Sequence, residues 1–323
     1  MSTLTLRGPA WLAVRQHRLA LWSAPALLVL AAAIVIFLRL RAGAVADSYA
    51  GSDCSAQQPT FACEGTVREF LDTQFEYSQW LNYMGLPLFV LPGVVGAFVA
   101  GPMIARELES GTYKLAWTQS VTPARWLMVK LAVPTAWTVA FVSVAVPLHR
   151  WAWATRPVED IAPGLWHEPV RYAGMGPLPV AYALLGIAAG ALVGLLVRRT
   201  VVALSVTALA MGTVMMLFIT QLRVHLWPTV TAMGDERDSL GSGWVIEQGV
   251  VLASGERVTH DECVAGGWRA SPCLKVPDGA TRFAEVHPVS HFWPLQLVET
   301  GIILVLVAAV TFAAFRVLGR RHR

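Results

Sequence analysis

The fold class of this protein is decided between Tyr172 and Leu222, where the sequence reads YAGMGPLPVAYALLGIAAGALVGLLVRRTVVALSVTALAMGTVMMLFITQL. The charged residues of this run, Arg198 and Arg199, divide it into two uncharged stretches. Each stretch has about the 20 residues that a helix needs to cross a bilayer. The pattern predicts two membrane-spanning helices, Tyr172 to Val197 and Thr200 to Leu222, joined as a tight antiparallel pair.

Four more stretches of similar length have the same apolar character. They run from Leu19 to Leu38, Tyr77 to Ala105, Leu131 to Leu148 and Phe292 to Phe315, the last interrupted by Glu299. Overall 55% of the residues are hydrophobic and 14% are charged, whereas soluble domains have about 25% charged residues. The composition excludes an ordinary soluble enzyme and predicts an all-α polytopic membrane protein with six transmembrane helices.

The distribution of basic residues orients these helices. If both termini are cytoplasmic, the inner segments hold 13 of the 25 Lys and Arg residues, at more than twice the density of the outer segments. The positive-inside rule favours this orientation. Because the basic residues are scattered among apolar runs and do not form one exposed face, the sequence does not predict nucleic-acid binding.

The spans divide the chain into four regions. Residues 1–18 are predicted to be a cytoplasmic segment that either lies along the membrane surface or is the basic flank of the first span. Residues 19–222 contain the first five helices with an inner connection at 106–125. Residues 223–291 form an extracytoplasmic cap loop, and residues 292–323 contain the sixth helix and a basic cytoplasmic tail.

Small residues recur every fourth position in the fourth span, at Gly186, Gly190 and Gly194. Such a stripe allows close approach of another helix. The partner is either a helix of the same chain or a helix of a second subunit.

All four cysteines fall on the predicted outer side. Cys54 and Cys63 lie in the first outer loop, and Cys263 and Cys273 lie in the last. Extracytoplasmic space permits disulfides, so two local bridges are predicted that pin small outer loops. Free thiols are the alternative, and zinc binding is disfavoured because neither pair has a CxxC spacing.

Few other residues suggest chemistry. Glu299 is an ionisable group inside a span, which is costly and points to function. It is predicted to line a translocation path, to pair with Arg150 or Arg223, or to reach water at the interface. His260, His287 and His291 raise the question of an outer metal site, but no metal is predicted because Pro288 disfavours one helix carrying both later histidines. The chain lacks a Gly-Lys-Ser/Thr phosphate loop, so it is not predicted to be an ATPase or to bind a cofactor itself.

The inner connection is the most informative segment, and it reads ARELESGTYKLAWTQS from Ala105 to Ser120. Gly111 is predicted to stop a helix, and a short amphipathic stretch with Trp117 then leads to a helix capped by Thr122 and begun by Pro123. Such an element projects from the inner face, where a cytosolic partner can bind it. Glu107 and Glu109 are predicted to be available to basic groups of that partner.

Here the sequence resembles the ABC-2 type permeases, the membrane subunits of ABC exporters. The resemblance rests on the Glu-x-x-x-Gly-Thr core at Glu107, Gly111 and Thr112 with Ser120, Arg125 and Lys130, on Pro288 to Gln296 followed by Glu299, and on Arg15 to Arg18. It implies a non-catalytic bacterial plasma-membrane protein that exports an amphipathic compound, lipid or peptide. It assigns coupling roles to seven residues: Arg106, Glu107, Glu109, Gly111, Thr112, Trp117 and Arg125.

The resemblance also implies partners. Two copies of a cytosolic ATPase subunit, which carry the ATP and Mg, would bind the inner connections of a homodimer or of a heterodimer with a related permease, all within membrane lipid. Two other interpretations stay open. One is a sensor or immunity protein that binds a ligand at its outer cap, and the other is a membrane enzyme with an outer histidine site.

Overall fold

A computed structural model describes residues 18–55, 60–118, 122–154, 165–234, 243–265 and 279–320. For residues 18–24, 115–116 and 263–265 it describes the backbone alone. The predicted surface segment 1–18 therefore lies outside the described residues, apart from the backbone of Arg18. The same is true of Ser120, Cys273 and the end of the basic tail.

Helices dominate the described residues. In chain order they are α1 Arg18–Ala50, α2 Glu64–Val94, α3 Gly101–Ser110, α4 Tyr113–Thr118, α5 Pro123–Ala154, α6 Pro169–Gly174, α7 Leu178–Val197, α8 Thr200–Leu217, α9 His260–Ala265 and α10 Phe292–Arg320. A π-helical segment, Val95–Ala100, joins α2 to α3, and another, Phe218–Leu222, extends α8. Short 3-10 turns occupy Phe61–Cys63, Arg223–His225 and Val289–His291.

Six helical stretches of the described chain are long and apolar enough to cross a membrane, which confirms the predicted polytopic all-α class. They are α1, α2 through α3, α5, α7, α8 with its π-helical extension, and α10. We call the end that the charge pattern assigns to the cytoplasm the inner end, and the opposite end the outer end.

The first two spans are longer than predicted. α1 continues past Leu38 to Ala50, and α2 begins at Glu64, well before Tyr77. The two extensions contact each other. The side-chain amide of Gln74 donates a hydrogen bond to the backbone carbonyl of Ala42 over 3.1 Å, and the rings of Tyr49 and Phe70 stack 4.0 Å apart. The apolar runs end near Leu38 and Tyr77, while the helices continue beyond them as a hairpin.

A disulfide between Cys54 and Cys63 closes this hairpin, as the sequence predicted. Its S–S distance is 2.03 Å and its Cα atoms are 5.5 Å apart. The predicted Cys263–Cys273 bridge lies outside the described residues.

The start of the fourth span was predicted too early. Tyr172 lies in α6, a separate short helix that ends at Gly174, and the spanning helix α7 begins at Leu178. The intervening Gly-Met-Gly-Pro sequence, residues 174–177, favours a break because glycine costs helix stability and proline restricts the residue before it.

The glycine stripe of α7 packs within the chain. A Cβ added at Gly186, Gly190 or Gly194 would collide with backbone atoms of the segment that runs from Pro92 through the π helix to Gly101 and Ala105. Proline at 92 weakens the helical hydrogen-bond ladder in this region. The π-helical part of the second span is therefore packed directly against the backbone of α7.

The chain divides into two compact units, and the smaller one comprises Pro163–Glu168 and Leu217–Glu299. It contains a sheet of four antiparallel strands in the order β1-β4-β2-β3. The strands are β1 Val230–Met233, β2 Trp244–Val251, β3 Arg257–Thr259 and β4 Thr281–His287. Gly255 has a φ of 86° in the turn between β2 and β3, which pair as an antiparallel hairpin.

Candidate functional site

The inner connection begins where α3 ends. Gly111 adopts a left-handed conformation, with φ 74° and ψ 3°, which stops the helix as the sequence predicted. An L-residue other than glycine is disfavoured there. The amide of Lys114 then donates to the Gly111 carbonyl over 3.1 Å, and the hydroxyls of Ser110 and Thr112 lie 3.0 Å apart. These bonds form a compact turn whose tip, at Ser110 and Thr112, is exposed.

The short helix α4 is fixed by aromatic contacts. The rings of Tyr113 and Trp117 are 4.6 Å apart, and Trp117 meets Trp126 of α5 edge to face at 6.2 Å. These rings pack on a buried cluster that includes Ile104 and Leu127. Trp117, one of the predicted coupling residues, therefore anchors the connection to the inner end.

Glu107 joins α3 to α5. Its carboxylate accepts a hydrogen bond from the Trp126 indole over 3.0 Å and forms a salt bridge with Lys130. The side chains of Glu107 and Lys130 are 26% and 24% exposed. We call this group of three residues the inner clasp.

Glu109 joins α3 to α8. One of its carboxylate oxygens accepts from the backbone amide of Thr200 over 3.0 Å and from the Thr200 hydroxyl over 2.7 Å. Helix N-termini have unpaired amides that attract carboxylates. Glu109 thus caps the fifth span from a residue 91 positions away in sequence.

The start of α5 matches its prediction. The amide of Arg125 donates to the hydroxyl of Thr122 over 3.3 Å, and Pro123 occupies the first helical position. Residues 119–121, which complete the connection, lie outside the described residues.

The connection carries exposed basic side chains. Glu107 and Glu109, which the sequence predicted to be available to a partner, both accept hydrogen bonds within the chain, and Glu109 is also exposed. Apart from Lys130, the cations at this end whose side chains the structure describes are exposed: Arg106, Lys114, Arg125, Arg198, Arg199, Arg316 and Arg320. The sequence missed this division, because it does not show which charges are paired across helices.

The second ionisable site is the pair of Arg223 and Glu299, in the smaller unit. The guanidinium donates two hydrogen bonds, from Nε to Oε2 over 2.8 Å and from an Nη atom to Oε1 over 2.9 Å. Their side chains are 4% and 0% exposed. Of the roles the sequence suggested for Glu299, the structure shows pairing with Arg223, and the carboxylate does not reach water.

The histidines considered for an outer metal site have different surroundings. The Nε2 of His287 lies 3.1 Å from the carbonyl of Val224, and its Nδ1 lies 3.1 Å from Nδ1 of His291. Burial lowers the pKa of His287, the hydrogen bond to Val224 opposes this, and the charge of His291 lowers the pKa further. In the described part of the chain, no group of three or more His, Cys, Asp or Glu residues is arranged to hold a metal ion.

Six apolar spans and an inner turn that is tied to three of them define a multi-pass α-helical membrane protein of the permease type. The sequence profile described as ABC-2 membrane transporter related matches residues 25–223. The chain therefore belongs to this family, and it is a membrane component of an ABC transporter. The match covers the first five spans and the inner connection, and it ends at Arg223.

Permeases of this family generally work with ATPase subunits and are themselves non-catalytic. No curated protein matches the chain significantly. No solved structure matches it significantly either.

Proposed function

We propose that this chain is the permease subunit of an ATP-driven exporter. Two copies of a separate cytosolic ATPase would bind the inner connections of two permease copies, and the cargo would be an amphipathic compound, lipid or peptide. The observation that carries the proposal is the built inner connection, in which one exposed turn is tied to α3, α5 and α8.

The ties give ATPase movement a route into the membrane. A force on the turn at Gly111 reaches α5 through the inner clasp and α8 through the bond from Glu109 to Thr200. The second span transmits the same force to α7, because their backbones touch along the glycine stripe. Coupling also requires that the ATPase bind two arrangements of these helices with different affinity.

The contact surface follows from the charges. Glu107 and Glu109 accept hydrogen bonds inside the chain, and the exposed basic coupling residues Arg106 and Arg125 are the proposed contacts to the ATPase. The proposed roles of the two acids are therefore to hold the connection in shape. The roles of Gly111, Thr112 and Trp117 are to form and anchor the turn.

The test is purification of the tagged full chain from its native membrane in mild detergent, with mass spectrometry of the proteins that remain bound. A stoichiometric P-loop ATPase is expected. It should be lost from the double variant Arg106→Glu with Arg125→Glu, and retained by the matched variant Arg320→Glu, which reverses a charge on α10 instead.

Two results would contradict the proposal. In the first, the folded protein brings no ATPase in several detergents, which would favour the ligand-sensor interpretation. In the second, the ATPase leaves equally in both charge-reversal variants, which would place the contact elsewhere on the inner surface. A role for Glu299 in the translocation path stays a prediction, and it is tested separately by transport in a variant that keeps the fold.

A further inference from the structure

A groove of about 310 Å³ lies between α1, α2 and α5, in the larger unit. Its walls are mainly aliphatic, and Leu27, Leu30 and Ile34 of α1 form one side. The polar side chains of the lining are Trp80, Tyr83 and His149. Its volume is at the lower end of the range of about 300–1,000 Å³ that is typical of small-molecule pockets.

The groove is open to the membrane. Leu27 is 59% exposed and Tyr83 is 61% exposed, although both lie on spanning helices. His149 lies five residues before the outer end of α5 at Ala154, which is about 8 Å along the helix at 1.5 Å per residue. The groove therefore extends from the hydrocarbon layer toward the outer interface, where lipid esters lie.

His149 is a polar group built into the groove wall. It is 5% exposed, and its Nε2 accepts a hydrogen bond from the Trp153 indole over 3.1 Å. An indole N–H only donates, so Nε2 carries no proton. The neutral imidazole then carries its proton on Nδ1, which is a hydrogen-bond donor at the edge of an apolar groove.

Two glycines make room for this ring. A Cβ at Gly85 would lie 3.1 Å from His149 Cε1 and Nε2, and a Cβ at Gly174 would lie 3.0 Å from Cδ2. Behind it, the guanidinium carbon of Arg171 lies 3.5 Å from the centre of the Trp153 ring. A buried positive charge at this end of the groove favours a ligand group with partial negative charge.

We propose that the groove binds one acyl chain of an outer-leaflet phospholipid, whose ester carbonyl accepts the hydrogen bond from His149 Nδ1. The apolar walls match the acyl chain, and the His149 donor with the nearby Arg171 charge matches the carbonyl oxygen. The inference goes beyond the proposed function, because lipid binding in the groove does not require that an ATPase bind the chain.

The experiment uses the full chain in lipid nanodiscs that contain phosphatidylethanolamine with a diazirine midway along one acyl chain. After irradiation, mass spectrometry maps the labelled residues. Labelling is expected on residues 27–35 and 80–88. The variant Ala31→Phe fills the groove and should lower this labelling about tenfold, which corresponds to about 1.4 kcal/mol of binding energy. The matched variant Ala33→Phe, on an exposed position of the same helix outside the lining, should label like the native chain.

A second pair of variants tests the hydrogen bond without filling the groove. His149→Asn places an amide donor near the Nδ1 position, whereas His149→Gln places its amide near the Nε2 position, where it can accept from Trp153, and leaves no donor at the Nδ1 position. Membrane hydrogen bonds average about 0.6 kcal/mol, so labelling should fall about threefold in the glutamine variant and stay near the native value in the asparagine variant.

Three outcomes would overturn the proposal. Equal labelling of the native chain and Ala31→Phe would show that lipid only surrounds the helices. Equal labelling of both His149 variants would remove the assigned hydrogen bond. No lipid label on the groove residues of the native chain would show that no acyl chain occupies the groove. Size-exclusion and thermal unfolding of each variant establish that it is folded.

Discussion

Glu107 and Glu299 each join helices through an ion pair, and the two pairs differ in their access to water. The inner clasp joins Glu107 to Trp126 and Lys130, and the side chains of Glu107 and Lys130 are each about a quarter exposed. The outer pair holds Glu299 to Arg223 with almost none exposed. Opening the inner clasp returns both charges to water, whereas opening the outer pair leaves charges in an apolar environment.

This difference assigns different mechanical roles to the two sites. A partly exposed ion pair contributes less than a buried one and can exchange partners, so the inner connection is suited to movement. A buried bidentate pair is costly to break, so the fifth and sixth spans should stay joined where Arg223 meets Glu299. The family match covers the inner clasp completely but ends at Arg223, so Glu299 lies outside the matched region.

The largest expected effect comes from breaking the outer pair. Glu299→Gln leaves the Arg223 guanidinium buried without its counter-charge, and loss of one partner from a buried pair costs about 3–5 kcal/mol. Thermal unfolding in detergent should show this loss. Glu107→Gln, which breaks the inner clasp, is the matched control and should cost less than about 1 kcal/mol.

A double variant sharpens the test. Arg223→Met with Glu299→Leu removes both charges, so it should recover much of the stability that Glu299→Gln loses. Similar losses for Glu107→Gln and Glu299→Gln would contradict the comparison, since the two sites would then be equally rigid.

The second prediction concerns the backbone of the inner connection. Gly111→Ala places a Cβ on a residue with φ 74°, and the left-handed conformation costs an L-residue about 1–2 kcal/mol. No heavy atom lies within 4 Å of that Cβ, so the loss comes from the backbone alone. Trypsin cleavage at Lys114 should become faster, and the midpoint of thermal unfolding should fall.

Two other variants separate backbone strain from the loss of glycine itself. Gly111→Asn should lie between Gly111 and Gly111→Ala, because asparagine tolerates the left-handed region better. Gly93→Ala, in a helix where the added Cβ also meets nothing, should leave stability unchanged or raise it by up to about 1 kcal/mol. A Gly111→Ala protein as stable as the Gly93→Ala protein would show that the turn has no fixed conformation.

The sequence predicted what short-range chemistry determines. Six apolar stretches, the helix stop at Gly111 and the helix start at Thr122 and Pro123 follow from local residue types, and all are found in the structure. The continuation of α1 past Leu38 was not predicted, because hydropathy falls there while the helix itself continues.

The hydrogen-bond and ion-pair partners of the charged side chains could mostly not be predicted from the sequence. Glu109 bonds to a residue 91 positions away, and Glu299 bonds to one 76 positions away. The cost of an ionisable group inside a span left three roles open for Glu299, namely a translocation path, a basic partner or contact with water, and Arg223 was one of two basic candidates. The choice between them depends on how the helices pack, and a single sequence of uniformly apolar spans does not record their facing sides.

The smallest expected effect tests whether several weak local interactions stabilise the inner connection, in contrast to the strong ion pair of Arg223 and Glu299. Thr122→Ala removes the hydroxyl that accepts from the Arg125 amide at the start of α5, and loss of such a cap costs about 1 kcal/mol. Thr122→Ser keeps the hydroxyl and is the control. Hydrogen exchange should rise in the first turn of α5 in the alanine variant, while the amides around Glu299 keep their native protection. If exchange rose equally at both sites, the inner connection and the outer pair would unfold as one unit, and the inner end would not be able to move while the outer pair stays closed.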